Sequence, residues 1–161
     1  MEQITVRKAS LNDLPTLLVF EQGVIQAERP FDPTLKSGHI NYYDIEEMIQ
    51  AAHIQLVVAE SGNELIGCGY ARIESVKHYL KHQQHAYLGF MYVLPEHRGK
   101  GVNKKIIDAL KQWSLSQNIT EMRLEVYHGN IPAIRAYERA GFIQHMIEMR
   151  MGLGGVAKVM D

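Results

Sequence analysis

Residues 92–103, YVLPEHRGKGVN, decide the fold prediction. An apolar strand ends in this stretch, a turn with two glycines follows, and a helix begins near Val102. The first N–H groups of a helix lack an intrahelical acceptor and carry the positive end of the helix dipole, so an anion fits there. Gly99 and Gly101 would let phosphate oxygens reach those amides. The stretch predicts either a diphosphate site or a plain strand-to-helix turn.

Two nucleotide-binding motifs are missing from this stretch. It has no Gly-Lys-Ser/Thr ending, so it offers no hydroxyl ligand for magnesium, and it lacks the Gly-x-Gly-x-x-Gly dinucleotide pattern. A nucleotide-binding protein that uses the same loop therefore stays only as an alternative.

Hydrophobic periodicity on both sides of the loop predicts an α/β order of elements. The predicted strands cover residues 4–8, 54–60, 64–73, 86–94, 122–126 and 142–151. Four helices are predicted. The first runs to about residue 27 after a cap at Ser10 or Asn12–Asp13, and the second covers residues 43–51. The third runs from Val102 through Trp113, and the fourth covers residues 131–140 after a cap at Asn130.

Residues 86–126 form a strand–helix–strand unit, which implies parallel strands joined by a right-handed crossover. Residues 54–73 read as an antiparallel hairpin, so the whole sheet is expected to be mixed. Gly89 interrupts the apolar central strand and indicates a bulge. We expect one domain over residues 1–151 and a flexible tail with three glycines over residues 152–161.

Composition places the chain among ordinary globular proteins. It has 161 residues, of which 46% are hydrophobic and 22% charged, and its formal net charge of −1 favours neither nucleic acid nor an anionic membrane as a partner. Cys68 is the only cysteine and is expected to be a buried strand residue. The chain has no signal-like or membrane-spanning segment, so we expect a cytoplasmic protein.

Two motifs carry a resemblance to a known family. Residues 93–102 resemble the acetyl-CoA signature of the GNAT superfamily of N-acetyltransferases, Arg/Gln-x-x-Gly-x-Gly/Ala, with Arg98 in its first position and Gly101 as its first glycine. Asn103 stands where the family usually has glycine or alanine. Residues 130–142, NIPAIRAYERAGF, are similar to the second family pattern, Asn-x-x-Ala-x-x-x-Tyr-x-x-x-Gly-Phe, at every fixed position.

The resemblance implies a GNAT fold: a mixed, mostly antiparallel sheet with a central parallel strand pair flanked by helices. It implies transfer of an acetyl group from acetyl-CoA to a primary amine by direct attack in a ternary complex. A CoA-binding sensor or scaffold with the same fold and no turnover is the alternative. The acceptor amine stays open, and a homodimer is a family possibility.

The resemblance also assigns roles to residues. Tyr137 is the expected general acid for the leaving thiolate, although it could merely pack its helix. Glu125 is the candidate base, although it could equally be a strand residue that only faces solvent. His128 is a weaker candidate for the base. Asn130 could bind the cofactor, cap its helix, or do both. The expected cofactor-binding residues are Met91, Tyr92, Val93, Arg98, Gly99, Lys100, Gly101, Val102, Asn103, Lys104, Asn130 and Tyr137.

Three further groups of residues are weaker signals. His78, His82 and His85 have spacings that would share a helical face, but no helix pattern or carboxylate supports a metal site, so no metal is predicted. The methionines near the C-terminus are expected to cover a sheet edge or an interface. The acidic residues Glu21, Glu28 and Asp32 are more often a solvated helical face, but they would suit a cationic amine acceptor.

Overall fold

A computed structural model describes residues 3–154, in which strands and helices follow the order predicted up to residue 140. The strands are β1 (Ile4–Lys8), β2 (Ile54–Ser61), β3 (Glu64–Ser75), β4 (Gln84–Val93) and β5 (Met122–Leu124). The helices are α1 (Leu14–Glu28), α2 (Ile45–Gln50), α3 (Val102–Ser116) and α4 (Ile131–Arg139). Short 3₁₀ turns lie at Leu11–Asp13, Arg29–Phe31 and Pro95–His97.

The strands form one sheet in the order β1-β2-β3-β4-β5. The first three pairings are antiparallel, and β4 pairs with β5 in parallel, with α3 as the crossover between them. This arrangement confirms the predicted mixed sheet with a parallel strand pair flanked by helices.

Each face of the sheet has its own hydrophobic core. Strand β2 shows the alternation, because Leu56 and Val58 pack with α1 and α2, whereas Val57 and Ala59 pack with α3 on the opposite face. Burial of each such aliphatic side chain stabilises the fold by roughly 1.5–3 kcal/mol. The two cores therefore fix the sheet between helices on both sides.

A bulge interrupts β4 at the predicted place. Tyr70 pairs with Gly89 and Cys68 with Tyr92, so the bulge takes up an extra residue of β4, and Phe90 adopts a φ of 53°. A Cβ on Gly89 would lie 2.4 Å from the Tyr70 hydroxyl oxygen, which explains the glycine. Cys68 is fully buried, its Sγ lies 3.3 Å from the carbonyl oxygen of Phe90, and burial raises the pKa of its thiol. It is a core residue, as predicted.

The predicted last strand over residues 142–151 is wrong. No residue of this segment belongs to a strand within residues 3–154, and large apolar side chains such as Ile147 and Met149 are 86% and 88% exposed. Alternation in the sequence favours extended backbone, but a strand also needs a neighbour for its N–H and C=O groups, and the described part of the chain makes no backbone hydrogen bond to residues 143–151. Of the expected tail, residues 155–161 lie outside the described residues.

Smaller differences concern element ends and length. Strand β5 ends at Leu124 rather than residue 126, because β4 and β5 separate beyond that point. Helix α2 begins at Ile45, two residues later than predicted, since Asp44 caps it by accepting a hydrogen bond from the N–H of Glu47. No helix within residues 3–154 has the length and apolar character needed to cross a bilayer.

Candidate active site

A slot opens where β4 and β5 separate. Their parallel pairing ends at Leu88 and Leu124, while β4 continues for five more residues to Val93. Antiparallel pairing with β3 continues along the other edge of β4. Backbone groups of β4 near Met91, Tyr92 and Val93 therefore face the slot without a β5 partner, as an extended ligand with amide groups requires.

The glycine loop leads from this slot into α3. Gly99 and Gly101 have φ values of 77° and 81°, which only glycine adopts without strain, and Gly101 is the N-cap of α3. Having no side chain, Gly101 cannot cap the first N–H groups of the helix, which are left for an anion. Lys100 is exposed beside them, and the Val102 side chain is buried in the core.

Two basic residues of the loop already have partners. Arg98 donates from Nε to the carbonyl oxygen of Val93 at 3.0 Å, and its guanidinium lies 5.9 Å from the centre of the Tyr92 ring. Lys104 donates from Nζ to Oδ2 of Asp108 at 2.8 Å along the helix surface. Lys104 would have to turn away from this exposed pair to reach a diphosphate. Asn103, where the family has a small residue, is partly exposed on the first turn.

Helix α4, which follows β5 in the chain, carries the second motif. The side chain of Asn130 accepts a hydrogen bond from the N–H of Ala133 at 3.3 Å, so it caps α4. Tyr137 stacks edge-on against Phe142, and burial raises the pKa of its hydroxyl to about 12, with a smaller contribution from the charge of Glu28. Among residues 3–154 that hydroxyl has no hydrogen-bond partner, so it is free to meet a ligand.

Glu125 lies just beyond β5, where the two strands separate. Its Oε1 accepts a hydrogen bond from the Tyr87 hydroxyl at 2.8 Å, and the residue is exposed. The guanidinium of Arg72 lies 5.3 Å from the centre of the Tyr87 ring. Glu125 therefore joins a polar cluster on β3 and β4, and the structure gives it no contact with Tyr137.

Glu28 is an acidic residue that the sequence alone does not distinguish from Glu21 and Asp32. It ends α1, and its pKa is raised, first by burial and then by the nearby charge of Asp32, while the Tyr42 hydroxyl opposes the shift. No ion pair neutralises Glu28 within residues 3–154. The charge of Glu28 raises the pKa values of Tyr42, Tyr127 and Tyr137. The Phe31 ring, just after α1, stacks on the Tyr127 ring with the centroids 6.0 Å apart, so the end of α1 lies beside the segment that leads into α4. That proximity carries no signal in the sequence.

The other two acidic residues of this region are held by the fold. Glu21 is fully buried, and its Oε2 accepts hydrogen bonds from the N–H groups of Tyr42 and Tyr43, both at 2.8 Å. Asp32 accepts from Thr34, from the Tyr127 hydroxyl at 3.1 Å and from Arg150 at 3.2 Å. These bonds lower the pKa of Asp32 to about 2. Glu21 is therefore structural, and Asp32 anchors the wall of the site.

Family comparison agrees with this geometry. The model of the acetyltransferase (GNAT) family matches residues 22–142, which include the glycine loop and both walls of the slot. The chain belongs to the GNAT acetyltransferase family. Acetyl-CoA is the co-substrate of this family, so the slot and the loop have an expected ligand.

Known relatives differ in how much of the chain they resemble. An N-alpha-acetyltransferase of Saccharolobus solfataricus is 25% identical over 143 residues, covering 86% of this chain and 79% of the relative. A streptothricin acetyltransferase of Escherichia coli is 44% identical over 46 residues, covering 29% of this chain and only 26% of the relative. The structure of a predicted acetyltransferase with acetyl-CoA from Clostridium acetobutylicum has a TM-score of 0.66 at 19% identity, covering 93% of this chain and 96% of that chain, and shares the fold.

Acetyl-CoA should stabilise the folded protein, because a ligand present at a hundred times its Kd adds about 2.7 kcal/mol to the free energy of unfolding. Thermal unfolding followed by circular dichroism, with acetyl-CoA or ATP added, checks this expectation. A rise in Tm with acetyl-CoA alone is expected. An equal rise with ATP would point to the nucleotide-binding alternative, and no rise with millimolar acetyl-CoA would contradict the cofactor assignment.

Proposed function

We propose that this protein transfers an acetyl group from acetyl-CoA to a primary amine, by direct attack of the amine in a ternary complex. The observation that carries the proposal is the Tyr137 hydroxyl on the family's second motif, which is buried and makes no hydrogen bond within residues 3–154, and whose pKa is raised in part by the charge of the half-buried Glu28. A pure CoA-binding sensor has no need of a proton donor and a carboxylate at that place.

The slot and the loop would hold the cofactor in two parts. The edge of β4 at residues 91–93 would pair with the amides of the pantetheine arm once Arg98 releases the Val93 carbonyl oxygen. The N–H groups around Gly99, Gly101 and Asn103 would receive the diphosphate. Lys100, Arg98 and Lys104 add positive charge beside it. The backbone of the bulge after Gly89 would polarise the thioester carbonyl, as a fixed donor in an oxyanion site does.

The reaction removes two protons from the acceptor nitrogen and delivers one to the leaving thiolate. The ammonium form of the acceptor first loses a proton to a carboxylate, and the nitrogen lone pair then attacks the thioester carbon to form the C–N bond. The C–S bond breaks, and the departing thiolate takes the hydroxyl proton of Tyr137. The second proton of the nitrogen then returns to the Tyr137 phenolate, which leaves the amide, the thiol and one proton on the carboxylate. A phenol serves as that acid, since its pKa of about 12 keeps it protonated until the thiolate forms.

Two carboxylates compete for the role of base. Glu125 is a candidate for the base because it lies beside the point where the strands separate. Glu28 is favoured by burial, by its raised pKa and by its electrostatic contact with Tyr137. A negative charge among Tyr42, Tyr127 and Phe31 would also attract a cationic amine. Glu28 is therefore the stronger candidate for contact with the acceptor.

Tyr137→Phe should lower kcat by about 100-fold or more, within the range usual for loss of a general acid. Acetyl-CoA affinity should change little, because the ring and its packing against Phe142 remain. Thiol release from acetyl-CoA with a panel of amines measures turnover, and thermal shift measures binding. Unchanged turnover would remove Tyr137 from the mechanism, and absence of turnover in the wild type with every amine would favour the sensor alternative.

Glu28→Gln should lower kcat/KM by about 100-fold and should abolish the acidic limb of the pH profile of kcat/KM. This limb is expected because a base whose pKa is raised by burial loses function as the pH falls through that pKa. Glu125→Gln is the matched control, because it removes the same charge from the Tyr87 cluster. The assignment is reversed if the limb persists in Glu28→Gln and disappears in Glu125→Gln.

A further inference from the structure

A compact cluster of possible metal ligands lies at the end of the sheet where β4 and β5 begin. His82 precedes β4, His85 lies on it, and Glu121 directly precedes β5. One ligand atom of each residue lies within 4.8 Å of those of the other two. His82 Nε2 is 3.5 Å from Glu121 Oε2, too far for a good hydrogen bond. Tetrahedral zinc bonds of roughly 2.0–2.2 Å place ligand atoms about 3.4 Å apart.

The two histidines have nitrogens without partners. Nε2 of His82 and Nδ1 of His85 are buried and make no hydrogen bond within residues 3–154. A buried polar atom left unpaired costs free energy, so folded proteins rarely keep one. Two such atoms beside one carboxylate indicate that this place is built for a cation.

A second carboxylate orients one of the histidines. Nε2 of His85 lies 3.2 Å from Oε1 of Glu74, which leaves Nδ1 as the ligating nitrogen. Histidines that bind metals usually donate their other N–H to such a carboxylate. Arg123 donates from Nε to Oε2 of Glu121, so its charge competes with a metal for that oxygen.

We propose that His82, His85 and Glu121 bind a divalent transition metal, with zinc as the best fit to two imidazoles and one carboxylate. The neighbouring surface pocket, about 420 Å³ in volume and lined in part by His82 and Asn118, leaves room for water as the fourth ligand. The metal ties the loop before β4 to the start of β5. It lies apart from the glycine loop, which follows the opposite end of β4.

Co²⁺ added to metal-free protein should give one equivalent of a tetrahedral visible spectrum that Zn²⁺ displaces. His82→Gln should weaken the affinity for Zn²⁺ by at least tenfold, and Glu74→Gln by about 10- to 100-fold through loss of the orienting carboxylate. His78→Gln is the matched control, because that histidine is exposed and outside the cluster. Circular dichroism of the metal-free variants checks folding. Equal affinity in His78→Gln and His82→Gln, or no stoichiometric binding, would overturn the proposal.

Discussion

The end of the β4–β5 pairing is the constraint on which the site depends. Parallel pairing holds the two strands together as far as Leu88 and Leu124, and beyond that point the strands diverge. The divergence coincides with the bulge of β4. There the absence of a side chain on Gly89 leaves room for the ring of Tyr70, and Phe90 adopts a backbone conformation that costs roughly 1–2 kcal/mol. Both cores buttress this point, because Tyr70 and Phe90 belong to one and Leu88 to the other. Packing energy on two faces can hold one strained residue in place.

The slot and the helix N-terminus then form one continuous receptor. Backbone groups of β4 offer an edge to a chain with amides, and the same strand leads directly into the glycine loop. A family with little sequence identity can keep such a receptor, since it is made largely of backbone. The helix terminus contributes roughly 0.3–1 kcal/mol toward an exposed negative charge, and direct N–H contacts contribute further. Side chains such as Arg98 and Lys104 are secondary, and both already have partners in the protein.

The sequence predicted what local patterns encode and missed what depends on contacts between distant segments. The helices, the hairpin, the bulge near Gly89 and the cap at Asn130 follow from periodicity, glycine placement and cap chemistry, and all are present. The last strand failed because alternation over residues 142–151 reports an extended backbone but not a neighbour. Glu121 lies 36 residues beyond His85, so no spacing rule connects this carboxylate with the histidines. Glu28 is one acidic residue among several in the sequence, and only its tertiary surroundings distinguish it from Glu21, which is held by the N–H groups of Tyr42 and Tyr43.

Burial gives the two carboxylates near the slot different chemistry. A partly desolvated carboxyl binds its proton more tightly, so Glu28 accepts a proton nearer neutral pH than an exposed glutamate does. Glu28 and Tyr137 also interact electrostatically, and the interaction has a direction. A negative Glu28 makes the phenol a weaker acid, whereas a Glu28 that has taken the amine's proton no longer does so. In the proposed reaction, proton removal from the acceptor by Glu28 therefore favours proton delivery from Tyr137 to the thiolate.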